Sequence, residues 1–249
     1  KILLKYKFNK NTGNFKFIKC DLNKNLALVI KFLKKNKIDY IVDFLGQGMV
    51  AESWNHPYRW YETNIVLKAK LYNFLSKNKK FKKYIRISTP EAVGNIRGFI
   101  FENTKAYPST PYGISHLATD LTLLAYYKYN KFPFVISRFS NFYGPHQQLY
   151  RLIPKALYCI FNNKKLLLHG GGKSVRSFIY IDDFCEGIYK SMINGRPGEI
   201  YNFTSREYVS IKWLVKKICF LTSMNFNKLV KITKDRPTKD NVYKMDPTK

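Results

Sequence analysis

The sequence has few acidic residues, few cysteines and no long apolar run, and each shortage narrows what the protein can be. Asp and Glu number 16 against 44 Lys and Arg, so the formal net charge is +28. The four cysteines show no C-x-x-C spacing, so we expect reduced, mostly buried thiols, a cytoplasmic location and no metal site. Because no run of about 18 apolar residues occurs, we expect no membrane-spanning helix.

The positive charge is compatible with nucleic-acid binding, but its distribution disfavours that function. Lysines occur in nearly every segment instead of forming one stripe, and only nine of the 44 basic residues are arginine. We interpret the charge as a solvated surface whose general positive field attracts a phosphate-bearing substrate. A nucleic-acid-binding module is the alternative, and steep salt dependence of DNA binding would support it.

The apolar residues alternate in a way that predicts an α/β protein. Hydrophobic residues make up 45% and aromatic residues 16% of the chain, as in folded globular proteins. Short apolar runs alternate with longer amphipathic stretches, which is typical of βαβ units in a parallel sheet. The predicted strands are Phe15–Cys20, Tyr40–Leu45, Tyr84–Ser88 and Phe134–Phe139, and the predicted helices are Asn25–Lys37, Tyr61–Ser76 and Tyr112–Tyr129.

Beyond Gly144 the rhythm changes, which predicts a second, smaller lobe. We therefore divide the chain into a doubly wound parallel sheet at residues 1–145 and a lobe at residues 146–249, interleaved with the last sheet strands. The predicted elements of the second part are the helices Tyr150–Asn162, Asp182–Ile193 and Ser210–Leu221 and the strands Leu166–His169, Ser177–Ile181, Glu199–Phe203 and Leu229–Ile232.

Polar residues follow each predicted strand of the first part. Asp21 ends the first strand, residues 45–48 (Leu-Gly-Gln-Gly) follow the second, residues 88–91 (Ser-Thr-Pro-Glu) the third, and residues 140–144 (Ser-Asn-Phe-Tyr-Gly) the fourth. In an open parallel sheet, ligands bind beyond the carboxyl ends of the strands. The convergence of these residues predicts a functional site at that edge.

The stretch STPYGISH, residues 109–116, places a tyrosine and a histidine on one helix face near the same edge. Tyr112 follows Pro111 at a helix start, and His116 lies four residues later. A tyrosine base needs nearby positive charge, because the pKa of a phenol is about 10. On its own this pair is compatible with ordinary, partly exposed helix residues. Beside the strand-end residues, it predicts an active site.

The order and spacing of the motifs resemble the extended short-chain dehydrogenase/reductase family, in particular its NAD-dependent nucleotide-sugar epimerases and dehydratases. The resemblance runs nearly end to end and rests on KCDL, DFLGQG, YETNIV, ISTPEAVG, TPYGISH, RFSNFYGP, GGGKSVRSFIYIDD, GEIYNF and DRPTKD. The resemblance implies an incomplete NAD-binding Rossmann-type domain at residues 1–145 and a mainly substrate-binding lobe at residues 146–249. It also implies a bound NAD, a nucleotide-diphosphate sugar as substrate, and a homodimer. The cofactor residues that it implies are Asp21, Leu22, Leu45, Gly46, Gln47, Asn64, Ser88, Tyr112 and His116.

The resemblance also implies a reaction. Tyr112, assisted by Thr89, takes the C4 hydroxyl proton while hydride passes to NAD, Glu91 then removes the C5 proton, and water leaves from C6. The substrate residues that it implies are Asn141, Tyr143, Arg176 and Arg236. The chemistry of Arg176 and Arg236 agrees with this role, because a planar guanidinium group holds a diphosphate through paired hydrogen bonds. Arginine at these two positions is also notable because most of the basic residues of the chain are lysine.

Two positions depart from the family pattern. His116 stands where the family has a lysine that hydrogen-bonds the nicotinamide ribose and lowers the pKa of the tyrosine. Imidazole can donate to a ribose hydroxyl, but it has a shorter reach and is mostly uncharged at neutral pH. Pro90 stands where the 4,6-dehydratases carry an acid, so only Glu91 remains. A nucleotide-sugar 4-epimerase, a decarboxylase and a catalytically impaired relic therefore stay open as alternatives.

The chain opens at Lys1 without a Met, and we expect a fragment. The glycine clusters at 46–48 and 170–172 do not open a helix after a first strand, so neither is interpreted as the phosphate loop. We expect the Gly-rich βα unit to be missing at the N-terminus and the tail to be cut short after Lys249.

Overall fold

A computed structural model describes residues 15–235 and 242–249. Its strands are β1 Tyr40–Asp43, β2 Lys83–Ser88, β3 Phe134–Phe139, β4 Asn141–Tyr143, β5 Leu166–His169, β6 Val175–Arg176, β7 Phe178–Tyr180, β8 Glu199–Phe203, β9 Val209–Ser210 and β10 Val230–Thr233. Its α-helices are α1 Leu22–Lys35, α2 Pro57–Tyr61, α3 Leu67–Lys77, α4 Pro111–Asn130, α5 Leu152–Phe161, α6 Ile181–Ile193, α7 Ile211–Leu221 and α8 Phe226–Leu229.

The central sheet is parallel and has the strand order β1-β2-β3-β8. Its register aligns Val42 with Ile85, Ile85 with Val135, and Val135 with Glu199. Parallel neighbours need long crossovers, which the helices between these strands supply. Because β8 comes from the second half of the chain, that half contributes to the same sheet.

Helices pack on both faces of the sheet, so the predicted Rossmann-type α/β fold is confirmed. Alternation along β3 sends Phe134 into a core that includes Tyr72 of α3 and Leu123 of α4. Phe139 points to the opposite face, where its ring lies 4.2 Å from that of Phe184 on α6. A separate apolar cluster joins α5 and α7 to the small parallel sheet of β5 and β10.

The prediction of a strand at Phe15–Cys20 is wrong. Those residues form no strand in the described ranges. The alternation of apolar and basic residues there determines which side chains share a face, but it does not by itself make a hydrogen-bond ladder. The following helix begins earlier than predicted, at Leu22, because the Asp21 carboxylate accepts from the Asn23 N–H at 3.0 Å and caps it.

The other predicted elements are present, with ends that differ by a few residues. The largest difference precedes α3, where α2 starts at Pro57 and passes through a π-helical turn, Glu62–Val66, into α3. That turn carries Asn64, one of the predicted site residues. In the described ranges, no helix has the length and apolar character required to cross a bilayer.

Candidate active site

Tyr112 sits in the first turn of α4, and the residues around it define that turn. The Thr110 hydroxyl caps the helix by accepting from the Gly113 N–H at 3.0 Å. Pro111 occupies the first helical position, where its fixed φ fits and its missing N–H costs nothing. The Tyr112 N–H, one of the groups without a helical partner, donates to the buried Ser53 hydroxyl at 3.2 Å.

Gly113 lets this helix start lie directly on the turn after β2. A Cβ at position 113 would come within 2.5 Å of the Glu91 carbonyl oxygen, so only glycine permits the approach. The short 3-10 turn Pro90–Ala92 thereby lies next to the first turn of α4. Thr89 and Glu91 are hydrogen-bonded to each other there, with the Thr89 hydroxyl donating to the carboxylate. The structure thus brings together the three side chains predicted to carry the reaction.

The environment keeps the Tyr112 phenol protonated in this structure. Burial raises its pKa above the ordinary value, and the negative charge of Glu91 raises it further. The Thr89 hydroxyl and the positive charge of Arg86 act in the opposite direction. A base at this position therefore depends on the cations around it.

His116 is buried behind Tyr112, and their ring centroids lie 4.4 Å apart. Its Nδ1 lies 2.9 Å from a guanidinium nitrogen of Arg86. Burial lowers the pKa of His116 well below its usual range, and the charges of Arg86 and Lys68 add to that effect. His116 is therefore a neutral imidazole and does not supply the cation that a lysine would.

A network of buried charges supports this edge, and the sequence analysis missed it. Arg86 pairs with Asp120 of α4 at 3.5 Å, and Asp120 also accepts from the Ser88 hydroxyl at 2.5 Å. Lys68 and Asp43 form a second buried pair. The sequence signal for this network is the arginine inside the strand KYIRIS at residues 83–88. A strand covered on both faces buries its side chains, so a charged residue within it needs a buried partner.

Asn64 joins the predicted cofactor turn to α4. Its Oδ1 accepts from the Gln47 N–H at 2.7 Å, and its Nδ2 donates to the Ser115 hydroxyl at 2.9 Å. Gly46 and Gln47 are exposed and Leu45 is half-buried, so the backbone of the turn is open to a ligand. Asn64 therefore fixes the turn against α4, and its contact with a cofactor stays a prediction.

The remaining predicted cofactor residues differ in how exposed they are. Asp21 is exposed at the start of α1, and Leu22 beside it is half-buried. Ser88 is buried, and its hydroxyl is directed to Asp120. Whether these side chains contact a cofactor stays a prediction.

The predicted substrate residues belong to the strands that follow β3. Asn141 is exposed and Tyr143 half-buried on β4, which pairs with β7, and Tyr143 lies 5.5 Å from Tyr180 between ring centroids. The Arg176 guanidinium lies 4.4 Å from the centre of the Tyr243 ring and donates to the Val175 carbonyl at 2.8 Å. Arg236 lies outside the described residues. In the described ranges, no group of three or more His, Cys, Asp or Glu could hold a metal ion.

Comparison with known proteins identifies the family. The model of the NAD-dependent epimerase/dehydratase family matches residues 4–203. The chain belongs to this family. It is thus an enzyme that uses NAD, as its motifs predict.

Relatives within the family agree with this assignment. The dTDP-D-glucose 4,6-dehydratase of Homo sapiens is 31% identical over 250 residues, which cover 96% of this chain and 69% of the human protein. The structure of DesIV, a dTDP-glucose 4,6-dehydratase from Streptomyces venezuelae with NAD bound, matches with a TM-score of 0.86 at 27% identity, covering 93% of this chain and 71% of that one. A UDP-glucuronic acid 4-epimerase from Bacillus cereus, with UDP-glucuronic acid and NAD, matches with a TM-score of 0.87 at 25% identity, covering 97% and 75%.

Proposed function

We propose that this protein is a nucleotide-sugar 4,6-dehydratase, which oxidises C4, eliminates water across C5 and C6, and then reduces the product. The observation that carries the proposal is the Thr89–Glu91 pair beside Tyr112. Exchange of configuration at C4 needs one base for the hydroxyl proton, whereas elimination needs a second group for the C5 proton. The named 4,6-dehydratases among the relatives support the same reaction class.

The residues at the strand ends fit NAD. The turn at 45–48 exposes backbone at Gly46 and Gln47, and His116 Nε2 makes no hydrogen bond within the described residues. That nitrogen lies on the Gly46 side of the ring, 3.9 Å from where a methyl group on Gly46 would be. When bound, NAD supplies the hydride acceptor for C4 and later the hydride that reduces the product. Asp21, Leu22 and Leu45 complete the proposed cofactor edge.

Tyr112 is the proposed base for the C4 hydroxyl. It takes that proton through a hydrogen bond shared with Thr89, and loss of hydride from C4 leaves a ketone. The raised pKa of Tyr112 makes it a strong base once ionised, and the positive field of Arg86 favours the ionised form. Thr89 also holds the Glu91 carboxylate, so base and carboxylate stay in register.

Glu91 is the proposed base for C5. The C4 ketone acidifies the C5–H bond, Glu91 removes that proton, and the C6 hydroxyl leaves as water. Since Pro90 provides no second acid, Glu91 or solvent must protonate the leaving hydroxyl. Asn141 and Tyr143 are proposed to line the sugar site, and Arg176 and Arg236 to hold the diphosphate.

The test is product mass across a panel of nucleotide hexoses incubated with NAD. A dehydratase produces the loss of one water from one substrate, and Tyr112→Phe abolishes that loss. Glu91→Gln should still permit oxidation at C4, seen as NADH absorbance, but without elimination. A panel in which no substrate loses water contradicts the proposal.

A 4-epimerase is the second candidate, because Pro90 leaves a single carboxylate at the site. Its product has unchanged mass and a new C4 signal in the NMR spectrum of the sugar. A decarboxylase would release carbon dioxide. A protein that binds no NAD would indicate an impaired relic.

We also infer a cytoplasmic homodimer. All four cysteines are free thiols, which suits a reducing compartment. Exposed apolar residues on the π-helical turn and α4, including Val66 at 48%, Ile114 at 43% and Leu121 at 52%, suit a subunit interface. Size-exclusion chromatography with light scattering measures the mass in solution, and a monomer mass at micromolar concentration contradicts the dimer.

A further inference from the structure

Arg86 determines which nitrogen of His116 carries the proton. Its guanidinium lies 2.9 Å from Nδ1 of His116, and both side chains are buried. A guanidinium has only donors and does not lose its proton in proteins. Nδ1 must therefore be the acceptor, and the single ring proton resides on Nε2.

The opposite side of the ring is left as a hydrogen-bond donor. Nε2 has no hydrogen-bond partner in the described ranges and lies on the side of Gly46, at the exposed turn. The imidazole thus presents an N–H towards the edge where the cofactor is proposed to bind. A ribose hydroxyl is an acceptor that suits such a donor.

Arg86 is itself held in place before any ligand arrives. Asp120 lies 3.5 Å from its Nε, and a second guanidinium nitrogen donates to the Ile87 carbonyl. Asp120 is fixed in turn by the Ser88 hydroxyl at 2.5 Å. Burial raises the pKa of Asp120, while Arg86 acts to lower it. The arrangement holds a cation beneath the Tyr112–His116 face at a set position.

We propose that Arg86 is a positioning residue that divides the task of a single lysine between two side chains. The guanidinium supplies the permanent positive charge, and the imidazole that it orients carries the hydrogen-bond donor to the cofactor. The inference rests on the proposed function in taking this edge as the NAD site. It adds a residue that touches neither cofactor nor substrate.

The first test is the tautomer of His116 in the wild-type protein. Protein labelled with ring-15N histidine contains four histidines, and the signals missing from His116→Gln identify residue 116. The expected long-range 1H–15N spectrum shows a protonated Nε2 and an unprotonated Nδ1. A protonated Nδ1, or protonation of both nitrogens, overturns the proposal without any need for an Arg86 variant.

The second test compares two buried arginines on neighbouring strands. Arg86→Met removes the donor to Nδ1, whereas Arg138→Met removes a guanidinium that bonds Asn202 at 3.2 Å. We expect Arg86→Met to mix the His116 tautomers and weaken NAD binding about ten-fold or more, the loss expected for a charge-assisted hydrogen bond. Arg138→Met should leave the His116 spectrum unchanged. An unchanged tautomer and NAD affinity in folded Arg86→Met contradicts the proposal.

The third test exploits repulsion between like charges. His116→Lys places an ammonium beside Arg86, so this variant alone should bind NAD more weakly than wild type. The double variant His116→Lys/Arg86→Met removes the repulsion and should bind NAD more tightly than either single variant. A purely structural Arg86 predicts the reverse, with the double variant the weakest.

These measurements separate the inference from the proposed function. The tautomer and the NAD affinity are measured without a sugar, so failure of every panel substrate removes the dehydratase assignment and leaves the Arg86 assignment supported. If the wild-type enzyme dehydrates a substrate but His116 carries its proton on Nδ1, the dehydratase assignment is supported and the Arg86 assignment is overturned. A wild-type protein that binds no NAD overturns both.

Discussion

The sheet edge around Arg86 and the apolar cluster around Leu166, which we call the lobe, are both well packed, yet different interactions stabilise them. The buried members of the lobe cluster are apolar residues and cysteines from α5, α7, α8 and β5. At the sheet edge, Asp43, Lys68, Arg86 and Asp120 are all buried. In the described ranges, every buried charged side chain lies between residues 43 and 138.

The contrast separates regions that maintain the fold from one that serves chemistry. Apolar burial stabilises the lobe, whereas each buried charge is costly unless a partner offsets its desolvation. A network of this kind is retained where a charge has to stand at a set place. Around Tyr112 the network sets the electrostatic potential of the base, and the lobe has no equivalent requirement.

The largest expected effect comes from breaking a buried pair. Asp43→Asn leaves the Lys68 ammonium without its counter-charge and should reduce the free energy of unfolding by about 3–5 kcal/mol. The double variant Asp43→Asn/Lys68→Met should recover most of that loss, because no uncompensated charge remains. Urea denaturation measures both values. Leu166→Ala in the lobe, expected to cost about 2–5 kcal/mol, is the apolar comparison.

The same pair has a signature in pH. Burial lowers the pKa of Lys68 from 10.5 to about 8, although Asp43 acts to raise it. Between those values the unfolded chain binds the proton and the native state does not, so this group makes the protein more stable as pH rises. The unfolding free energy of wild type minus that of the double variant should therefore increase from about pH 8 to 10. A difference that does not change over this pH range would contradict the lowered pKa of Lys68.

A smaller expected effect on stability, with a large one on rate, comes from Gly113→Ala. The added methyl group would lie 2.5 Å from the Glu91 carbonyl and must push α4 away from the turn that carries Thr89. We expect turnover to fall about ten-fold or more, because catalysis depends on placement within about an ångström. In Gly48→Ala the methyl group would meet no atom within 4 Å, so that variant should keep its melting temperature. Equal turnover in Gly113→Ala and wild type would refute the close packing.

The smallest expected effect compares two helix caps. Thr110→Ala removes the cap of α4 and Ser210→Ala the cap of α7, where the Ser210 hydroxyl accepts from the Trp213 N–H at 3.0 Å. Each should cost about 1 kcal/mol of stability. Only Thr110→Ala should also reduce turnover, because Tyr112 lies in the turn that Thr110 caps. Equal loss of turnover in both variants would remove the distinction between the two regions.

Much of the architecture could be predicted from the sequence, because periodicity reports burial directly. Phe134–Phe139 and Leu166–His169 have the predicted bounds, and the Tyr112–Tyr129 helix differs by one residue at each end. The wrong strand at Phe15–Cys20 has the same cause, since an apolar pattern predicts which side chains share a face but does not by itself form a strand.

The site could be predicted only in part. Convergence of strand ends with the start of α4 located Tyr112, Thr89 and Glu91, because parallel strands present their carboxyl ends at one edge. His116 followed from its position four residues after Tyr112 on the same helix face, and Asn64 followed from the family resemblance. The partners that set their properties did not follow, since Ser115 lies 51 residues from Asn64 and Arg86 lies 30 residues from His116.

The sequence by itself determined the α/β fold and the family and pointed to the side chains proposed to react, because each depends on local pattern or on the order of motifs. Only the tertiary structure decided the ionisation of those side chains. The pKa of a group depends on burial and on charges that packing brings within a few ångströms. For His116, burial is the largest cause of the lowered pKa, and the charges of Arg86 on β2 and Lys68 on α3 lower it further.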